Sequence, residues 1–301
     1  MRGIVPPLIT PLSGPDTLDV AGLERLLNHV IEGGVHGAFV LGTTGEGPSL
    51  SHRLQREVVA ESARAVDRRV PLLVGITDTS CEESVLLAQA AADAGADAVV
   101  IAPPYYFPAG QTELAQYVRR LIARMPLPVV LYNMPSLTKV TFGLETLAEL
   151  ADSDRIVGVK DSGGDLGYYE RVVRLKRTAR PDWSVLIGPE HLLPLSMMIG
   201  GDGGVHGGAN VFPKLFVRLF EAIEAGDADR VAALQEQVET LQGIYDVGKY
   251  ASRFIKATKS AAAIRGICGD ALAEPFNPFL QPERDRVAAV LDMLDPELVG
   301  H

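Results

Sequence analysis

Short apolar runs alternate with amphipathic stretches along most of this chain. Eight of the runs are typical of buried strands, because β-branched and other apolar residues cluster between turn residues. They cover residues 3–9, 37–41, 72–76, 98–102, 129–132, 156–159, 185–187 and 204–205. Their spacing of roughly 20 to 35 residues leaves room for one helix and two short loops per strand.

Helical periodicity fills the intervals between the strands. The clearest helical segments are residues 21–31, 54–65, 84–94, 114–123 and 169–175. Asp19 or Val20 begins the first helix, Ser51 precedes the second, and Gly95 ends the third. Beyond about residue 225 the strand pattern stops. In residues 227–301 apolar positions recur near helical spacing, at Val231, Leu234, Val238, Leu241 and Ile244.

This order of elements predicts an α/β fold, a (β/α)₈ TIM barrel over residues 1–225, with the chemistry at the C-terminal ends of its strands. Residues 226–301 are expected to form a C-terminal helical extension that packs on the barrel or on a neighbouring subunit. A doubly wound open sheet is the main competing architecture. The first strand lacks the Gly-x-Gly-x-x-Gly turn that would favour a dinucleotide-binding sheet.

Composition narrows the class of partner. The chain has 301 residues, a net charge of −10 and a pI near 5.1, which disfavours nucleic acid and anionic membranes and favours a small molecule. The two cysteines, Cys81 and Cys268, are far apart and are expected to be free thiols in a reducing compartment. No secretion signal or membrane span is evident, so we expect a cytoplasmic protein.

Lys160 stands at the end of an otherwise apolar strand. Strand alternation places Ile156, Gly158 and Lys160 on one face and the two valines, Val157 and Val159, on the other. If the valine face packs on a helix, Lys160 points into the barrel, and Gly158 leaves room beside it for a ligand.

An inward lysine has a chemical consequence. Burial disfavours the charged form of a lysine, which makes its amine available as a nucleophile. Two other interpretations are a lysine that extends to the surface and a lysine paired with Asp161 or another carboxylate.

A glycine-rich turn follows the second strand, with the sequence Gly42-Thr43-Thr44-Gly45-Glu46-Gly47. Its hydroxyls and backbone N–H groups could hold a carboxylate. The alternative is a loop in which a threonine caps the next helix. The turn lacks the Lys-Ser/Thr ending of a nucleotide-binding P-loop.

Tyrosines mark the ends of the fourth and fifth strands, in Tyr105-Tyr106 and in Tyr132-Asn133-Met134-Pro135. A phenol can donate and accept protons, although most single tyrosines are packing residues whose hydroxyl has a hydrogen-bond partner. Tyr132 shares a strand face with Val130, so it should lie one strand away from an inward Lys160. This proximity predicts an acid/base partner for the lysine.

Taken together and in order, the motifs Gly42-Thr43-Thr44-Gly45-Glu46, Tyr105-Tyr106, Tyr132-Asn133-Met134-Pro135 and Gly158-Val159-Lys160-Asp161 resemble the dihydrodipicolinate synthase and N-acetylneuraminate lyase family. The resemblance implies a pyruvate-dependent class I aldolase or related lyase, usually a homotetramer. It implies that Lys160 forms a Schiff base with a 2-oxo acid and that Tyr132 is the acid/base. It also implies a proton relay through Thr43 and through Tyr106, which many members lend across a dimer interface.

The same resemblance implies the remaining contacts to substrate. Thr44 and neighbouring amides of the turn, from Gly42 onward, would hold the substrate carboxylate, and the Val205 carbonyl would face the site. The chemistry would require no metal or organic cofactor, since the iminium itself accepts electrons.

Three positions bear on the substrate. Leu137 stands where synthases of the family carry an arginine that grips the second substrate's carboxylate, which disfavours aspartate semialdehyde. Glu190 lies where sialic acid lyases carry an acidic residue that binds hydroxyls. His206 follows the eighth strand and could reach the same mouth. Alternatively, Glu190 forms a salt bridge or caps a helix, and His206 has a structural role.

These observations predict a Schiff-base lyase, an aldolase or dehydratase, that acts on pyruvate or on a 2-keto-3-deoxy sugar acid or similar 2-oxo acid. One alternative is the synthase itself, which condenses pyruvate with aspartate semialdehyde. Another is a non-catalytic barrel that binds a small acid.

Overall fold

The computed structural model describes residues 1–300, so His301, the last residue of the predicted extension, lies outside the described residues. The strands are β1 Gly3–Ile4, β2 Leu12–Gly14, β3 Thr17–Leu18, β4 Ala38–Val40, β5 Leu72–Gly75, β6 Ala98–Ile101, β7 Val129–Asn133, β8 Ile156–Asp161, β9 Ser184–Ile187 and β10 Gly203–Gly204. The helices are α1 Val20–Glu32, α2 His52–Val66, α3 Cys81–Ala94, α4 Gln111–Ile122, α5 Pro135–Thr138, α6 Leu144–Leu150, α7 Leu166–Ala179, α8 Leu193–Ile199, α9 Pro213–Ala225, α10 Ala228–Gln242, α11 Arg253–Ile264, α12 Gln281–Leu291 and α13 Pro296–Val299.

The helix signals in the sequence act as predicted. Asp19 caps α1 by accepting a hydrogen bond from the Gly22 amide, and Ser51 caps α2 in the same way through Leu54. Gly95 ends α3 in the left-handed conformation.

Eight strands form one parallel sheet in the order β1-β10-β9-β8-β7-β6-β5-β4. A parallel bridge between Pro7 and Phe39 joins the two edges, with the Leu8 amide donating to the Phe39 carbonyl at 2.7 Å. The predicted (β/α)₈ barrel is therefore confirmed, and the open doubly wound sheet is wrong. β2 and β3 form a separate antiparallel pair.

Two apolar cores follow from strand alternation. Residues that point outward, such as Leu131, Val159 and Val185, pack against the surrounding helices. Residues that point inward form a smaller core that includes Val130 and Tyr132.

A bulge in β8 corrects the predicted faces of this strand. Val129 of β7 pairs with Ile156, but Val130 pairs with Gly158, so Val157 is an extra residue. Ile156 consequently packs in the outer core and Val157 against the inner one, the reverse of the prediction. Lys160 lies beyond the bulge and keeps its predicted inward direction.

The sequence suggested that Gly158 leaves space for a ligand beside Lys160, and this prediction is wrong. A Cβ at this position would lie 2.4 Å from the carbonyl oxygen of Ser184 on the neighbouring strand. The glycine is needed there because two backbones approach closely.

The helices after α9 match the predicted helical tail. The boundary proposed at residue 225 coincides with the last residue of α9, and the division into two parts stays a prediction. Leu234, Val238 and Leu241 of α10 are fully buried and join the outer core of the barrel. Among residues 1–300, no helix has the length and apolarity needed to cross a bilayer.

Candidate active site

Lys160 lies inside the barrel near the C-terminal end of β8. It is 5% exposed, and its Nζ atom has no carboxylate partner among the described residues. Asp161 points to the other face of the strand, where it accepts a hydrogen bond from Asn133 at 2.7 Å. The two alternatives, a surface lysine and a pair with Asp161, are therefore wrong.

Tyr132 lies beside Lys160, as predicted, because the two residues are register partners on adjacent strands. The Lys160 Nζ atom is 4.0 Å from the centre of the Tyr132 ring and 5.3 Å from that of Phe39. The Tyr132 hydroxyl and Thr43 Oγ1 are 3.3 Å apart, within hydrogen-bond distance. A buried amine, a phenol and a hydroxyl thus lie in sequence along the wall of the barrel.

Residues 42–47 form a tight loop after β4, which we call the threonine loop. Neither Thr43 nor Thr44 caps the helix that follows, since Ser51 has that role. Gly47 is required by the loop itself, because a Cβ there would lie 2.2 Å from the Leu41 carbonyl oxygen. The Thr43 hydroxyl of this loop faces the Tyr132 phenol inside the barrel.

A cavity of about 260 Å³ opens above Lys160 at the C-terminal ends of the strands. Six residues predicted for the site line it, namely Lys160, Tyr132, Thr43, Thr44, Val205 and Glu190. A second cavity of about 290 Å³ shares Thr43 and Tyr132 as a common wall. Gly42 and the half-exposed Leu137 line this second cavity.

Glu190 is a buried carboxyl group at the edge of the Lys160 cavity. Its Oε1 atom accepts hydrogen bonds from the Gly208 amide at 2.7 Å and from the Tyr245 hydroxyl at 3.0 Å. Its Oε2 atom is buried and has no hydrogen-bond partner in the part of the chain that the structure describes. Burial raises the pKa of Glu190 to about 6, against the effect of these donors.

His206 does not reach the cavity, which corrects the prediction. The imidazole ring is fully buried beside Gly204, and its centroid lies 5.4 Å from that of the Phe216 ring. Its Nδ1 atom lies 3.1 Å from the Gly188 carbonyl oxygen, within hydrogen-bond distance. Burial lowers its pKa to about 4, so the imidazole is neutral at pH 7. The backbone turns His206 outward while its neighbour Val205 lines the cavity.

Tyr106 lies away from both cavities of its own chain. It is 70% exposed and packs edge to face on Phe107, which is 79% exposed. Tyr105 lines the second cavity instead, and partial burial raises the pKa of its phenol.

Sequence reasoning missed the contribution of the tail to the Lys160 cavity. Gln242, Tyr245, Phe254 and Thr258 complete its wall. Tyr245 follows the apolar face of α10 in the sequence, a position that also suits an ordinary core residue. Only its contact with Glu190 distinguishes it.

Asn133 and Asp161 form a bridge between the strands that carry Tyr132 and Lys160. They are the next register pair, and both are almost completely buried. Asn133 also accepts a hydrogen bond from the Phe142 amide, and Asp161 accepts one from Gly163. Burial raises the pKa of Asp161, whose Oδ2 atom has no hydrogen-bond partner among the described residues. This bridge holds the two strands in the register that brings amine and phenol together.

Residues 1–300 contain no group of three or more His, Cys, Asp or Glu side chains arranged to hold a metal ion.

A family model described as the dihydrodipicolinate synthetase family matches residues 1–294. The chain belongs to this family.

Known members resemble the chain over most of its length. A structure of dihydrodipicolinate synthase from Bacteroides thetaiotaomicron has a TM-score of 0.94 and 47% identity, covering 97% of this chain and 98% of that chain. The structure of YagE from Escherichia coli K12, solved in complex with pyruvate, has a TM-score of 0.92 and 29% identity, covering 97% and 98%.

A curated relative of the same family is named for a sugar-acid aldolase. The Escherichia coli K12 protein "Probable 2-dehydro-3-deoxy-D-pentonate aldolase YjhH" is 34% identical over 244 residues, which is 81% of each chain. Since members of the family are lyases and aldolases, we conclude that the chain is an enzyme of the lyase class.

Exchanging the residues of the Asn133–Asp161 bridge tests its role. The single variant Asn133→Asp places two carboxyl groups against each other, and we expect it to lower the free energy of unfolding by about 2 kcal/mol or more near pH 8. The deficit should shrink near pH 5. Mutual repulsion raises the carboxyl pKa in the folded state, so the stability is present at low pH and is lost as pH rises through that pKa.

The double variant Asn133→Asp/Asp161→Asn restores one amide and one carboxylate in exchanged positions. Urea unfolding followed by circular dichroism should show stability close to that of the wild type at both pH values. A double variant as unstable as the single variant would show that the hydrogen bond between the two side chains does not hold the strands.

Proposed function

We propose that the enzyme forms a Schiff base between Lys160 and a 2-oxo acid and then breaks or forms a bond in the bound substrate. The observation that carries this proposal is the buried Lys160 amine, which has no carboxylate partner within residues 1–300 and lies 4.0 Å from the centre of the Tyr132 ring in a cavity open to solvent. An amine in this setting can act as a nucleophile toward a ketone.

For a 2-keto-3-deoxy acid the proposed steps are as follows. The amine adds to the C2 carbonyl and water leaves, which gives an iminium. Tyr132 accepts the proton of the C4 hydroxyl while its own phenolic proton passes to the Thr43 oxygen, and the hydroxyl proton of Thr43 passes on to solvent. The C3–C4 bond breaks, its electron pair moves toward the iminium nitrogen, and an aldehyde departs from the resulting enamine. The reverse relay protonates C3, and water releases pyruvate and the free amine.

Dehydration shares the first of these steps. From the same iminium, C3 can lose a proton and the C4 hydroxyl can leave as water. In both branches the iminium is the electron sink, so the proposed chemistry requires no metal or organic cofactor.

Positions around the amine suit a carboxylate at one end of the substrate. Thr44, of the threonine loop, lies in the same cavity wall as Lys160 and is almost completely buried. We assign Thr44 and the loop backbone, from Gly42 onward, to the substrate carboxylate, and Val205 to the opposite wall.

The far end of the cavity suits a hydroxylated chain. The unpartnered Oε2 of Glu190 can accept a hydrogen bond from a substrate hydroxyl, and Gln242 and Thr258 add polar groups beside it. A second carboxylate would be repelled there once Glu190 is ionised. Leu137, which lines the neighbouring second cavity, likewise brings no positive charge that could offset the repulsion. We therefore favour a 2-keto-3-deoxy sugar acid or a similar hydroxylated 2-oxo acid.

The second candidate is condensation of pyruvate with aspartate semialdehyde. It is supported by the 47% identity to the Bacteroides thetaiotaomicron synthase structure. Both activities share the Lys160 imine with pyruvate and differ only in the second reactant.

The active form is proposed to be a homotetramer in the cytoplasm. Tyr106 and Phe107 are exposed in the single chain, and such an apolar pair favours a protein interface. The second cavity gives a partner's tyrosine a route to Thr43 and Tyr132, which line it. The unpaired thiols Cys81 and Cys268 suit a reducing compartment.

Borohydride trapping tests the Schiff base. Reduction of the enzyme mixed with pyruvate, or with each of a panel of 2-keto-3-deoxy acids, should leave a covalent adduct that mass mapping places on Lys160. Lys160→Ala should give no adduct, whereas Lys256→Ala, at a half-buried lysine of α11 that lines neither cavity, should react like the wild type. An adduct on another lysine, or none with any compound, would reject the mechanism.

Kinetics of Glu190→Gln test the substrate class. Loss of a hydrogen bond to a charged group should raise KM for a hydroxylated 2-keto-3-deoxy acid by about tenfold or more, while trapping with pyruvate stays unchanged. The effect should be larger above pH 6 than below it, because wild-type Glu190 has a pKa of about 6 and is then ionised. Glu239→Gln, on the surface of α10, is the control. Equal KM values would remove Glu190 from the substrate site.

Co-expression of two inactive variants tests whether Tyr106 acts across an interface. Tyr106→Phe should reduce turnover by about 100-fold, and Lys160→Ala should abolish it. Mixed assemblies should regain activity, because some sites combine an intact lysine from one chain with an intact tyrosine from the other. Tyr250→Phe, an exposed tyrosine of the tail, should be fully active alone. Mixtures without recovery would place Tyr106 in its own chain's site or outside the mechanism.

A further inference from the structure

The threonine loop is held in a conformation that its sequence does not favour. Leu41, just before the loop, and Glu46 within it both adopt positive φ angles, 58° and 56°. Non-glycine residues occupy this left-handed region at an energetic cost and persist there when surrounding contacts hold them. The contacts of the Glu46 side chain are therefore expected to hold the loop in this conformation.

Glu46 forms a buried ion pair with Lys259 of α11. Both side chains are completely inaccessible to solvent. The second carboxylate oxygen of Glu46 accepts a hydrogen bond from the Ala273 amide at 2.9 Å, and Lys259 Nζ donates to the Ala271 carbonyl at 2.6 Å. One charge and two backbone groups of the tail thus fix the Glu46 side chain of the threonine loop.

Stability alone does not account for such a pair. Removing two charges from water is unfavourable, and apolar side chains of similar volume often serve as well or better. Burial lowers the pKa of Lys259, although the Glu46 carboxylate opposes this shift. What an ion pair with fixed hydrogen bonds adds is a defined geometry, and here that geometry joins the tail to the loop.

The threonine loop connects Glu46 to the Thr43 and Tyr132 hydroxyls through two hydrogen-bond contacts. The Glu46 amide donates to the Thr43 carbonyl at 3.1 Å, and Thr43 Oγ1 contacts the Tyr132 hydroxyl at 3.3 Å. One residue before Lys259, Thr258 lines the Lys160 cavity. A single helix of the tail therefore contacts the cavity directly and anchors the loop that carries Thr43.

We propose that Glu46 and Lys259 are positioning residues for the Thr43–Tyr132 contact, so that the C-terminal tail takes part in proton transfer as well as in folding. This inference rests on the proposed Schiff-base function. It predicts that disrupting the pair slows proton transfer at C3 of the bound substrate and leaves imine formation at Lys160 intact.

Pyruvate in D₂O provides a test that needs no aldehyde partner. The enamine exchanges its C3 hydrogens, so proton NMR of the pyruvate methyl group follows proton transfer, and borohydride trapping reports imine formation separately. In Glu46→Gln/Lys259→Met the ion pair is absent while an acceptor for the Ala273 amide remains. This variant should fold and be trapped like the wild type, but exchange should be about tenfold to hundredfold slower.

Lys176→Met/Asp202→Asn is the matched control. This pair, at 2.6 Å, is largely buried beside the start of β10, and Asp202 likewise accepts a backbone amide. It lies at the opposite end of the barrel, so exchange should proceed at the wild-type rate.

Glu46→Asp keeps both charges, shortens the link and provides a second variant in case the double variant does not fold. It too should be trapped normally and exchange slowly. Wild-type exchange in a folded Glu46 variant would overturn the positioning role alone. Wild-type enzyme that forms no adduct with pyruvate would overturn the proposed function and, with it, this inference.

Discussion

The site depends on the register between β7 and β8. One extra residue at Val157 resets the alternation of β8, so that Lys160 points inward although Ile156, four residues earlier, points outward. A bulge re-aims the side chains beyond it in this way. With the strands locked by Asn133 and Asp161, the amine and the phenol have little freedom to separate. That preorganisation gives a flexible lysine a defined position relative to the phenol, its proposed acid/base partner.

The C-terminal tail supplies part of the wall of the Lys160 cavity. A barrel supplies strand ends, but its cavity stays open above them. Here Tyr245 and Thr258 close the wall beside Lys160, and Lys259 pairs with Glu46 of the threonine loop. Fold and chemistry therefore share the same contacts, since residues that bury the tail also shape the cavity.

Substrate choice depends on a few polar atoms in an otherwise common arrangement. The amine, phenol and threonine suit any 2-oxo acid. In the proposed function, the buried carboxyl of Glu190 in the Lys160 cavity and the uncharged Leu137 in the second cavity favour hydroxyls over a second carboxylate. Family resemblance alone does not separate these classes, because relatives named as aldolases and synthases share the same framework.

Local pattern was sufficient to predict the barrel, its eight strands, and the inward positions of Lys160 and Tyr132. Periodicity and turn chemistry act over a few residues, and closure of a parallel sheet then brings strand ends together. The bulge at Val157 and the outward turn of His206 depend on how neighbouring backbones pair. The partnership of Glu46 with Lys259 joins residues more than 200 positions apart. The sequence by itself therefore determined which groups are present and on which elements. Only tertiary packing decided which of them meet, because burial and register are properties of the whole fold.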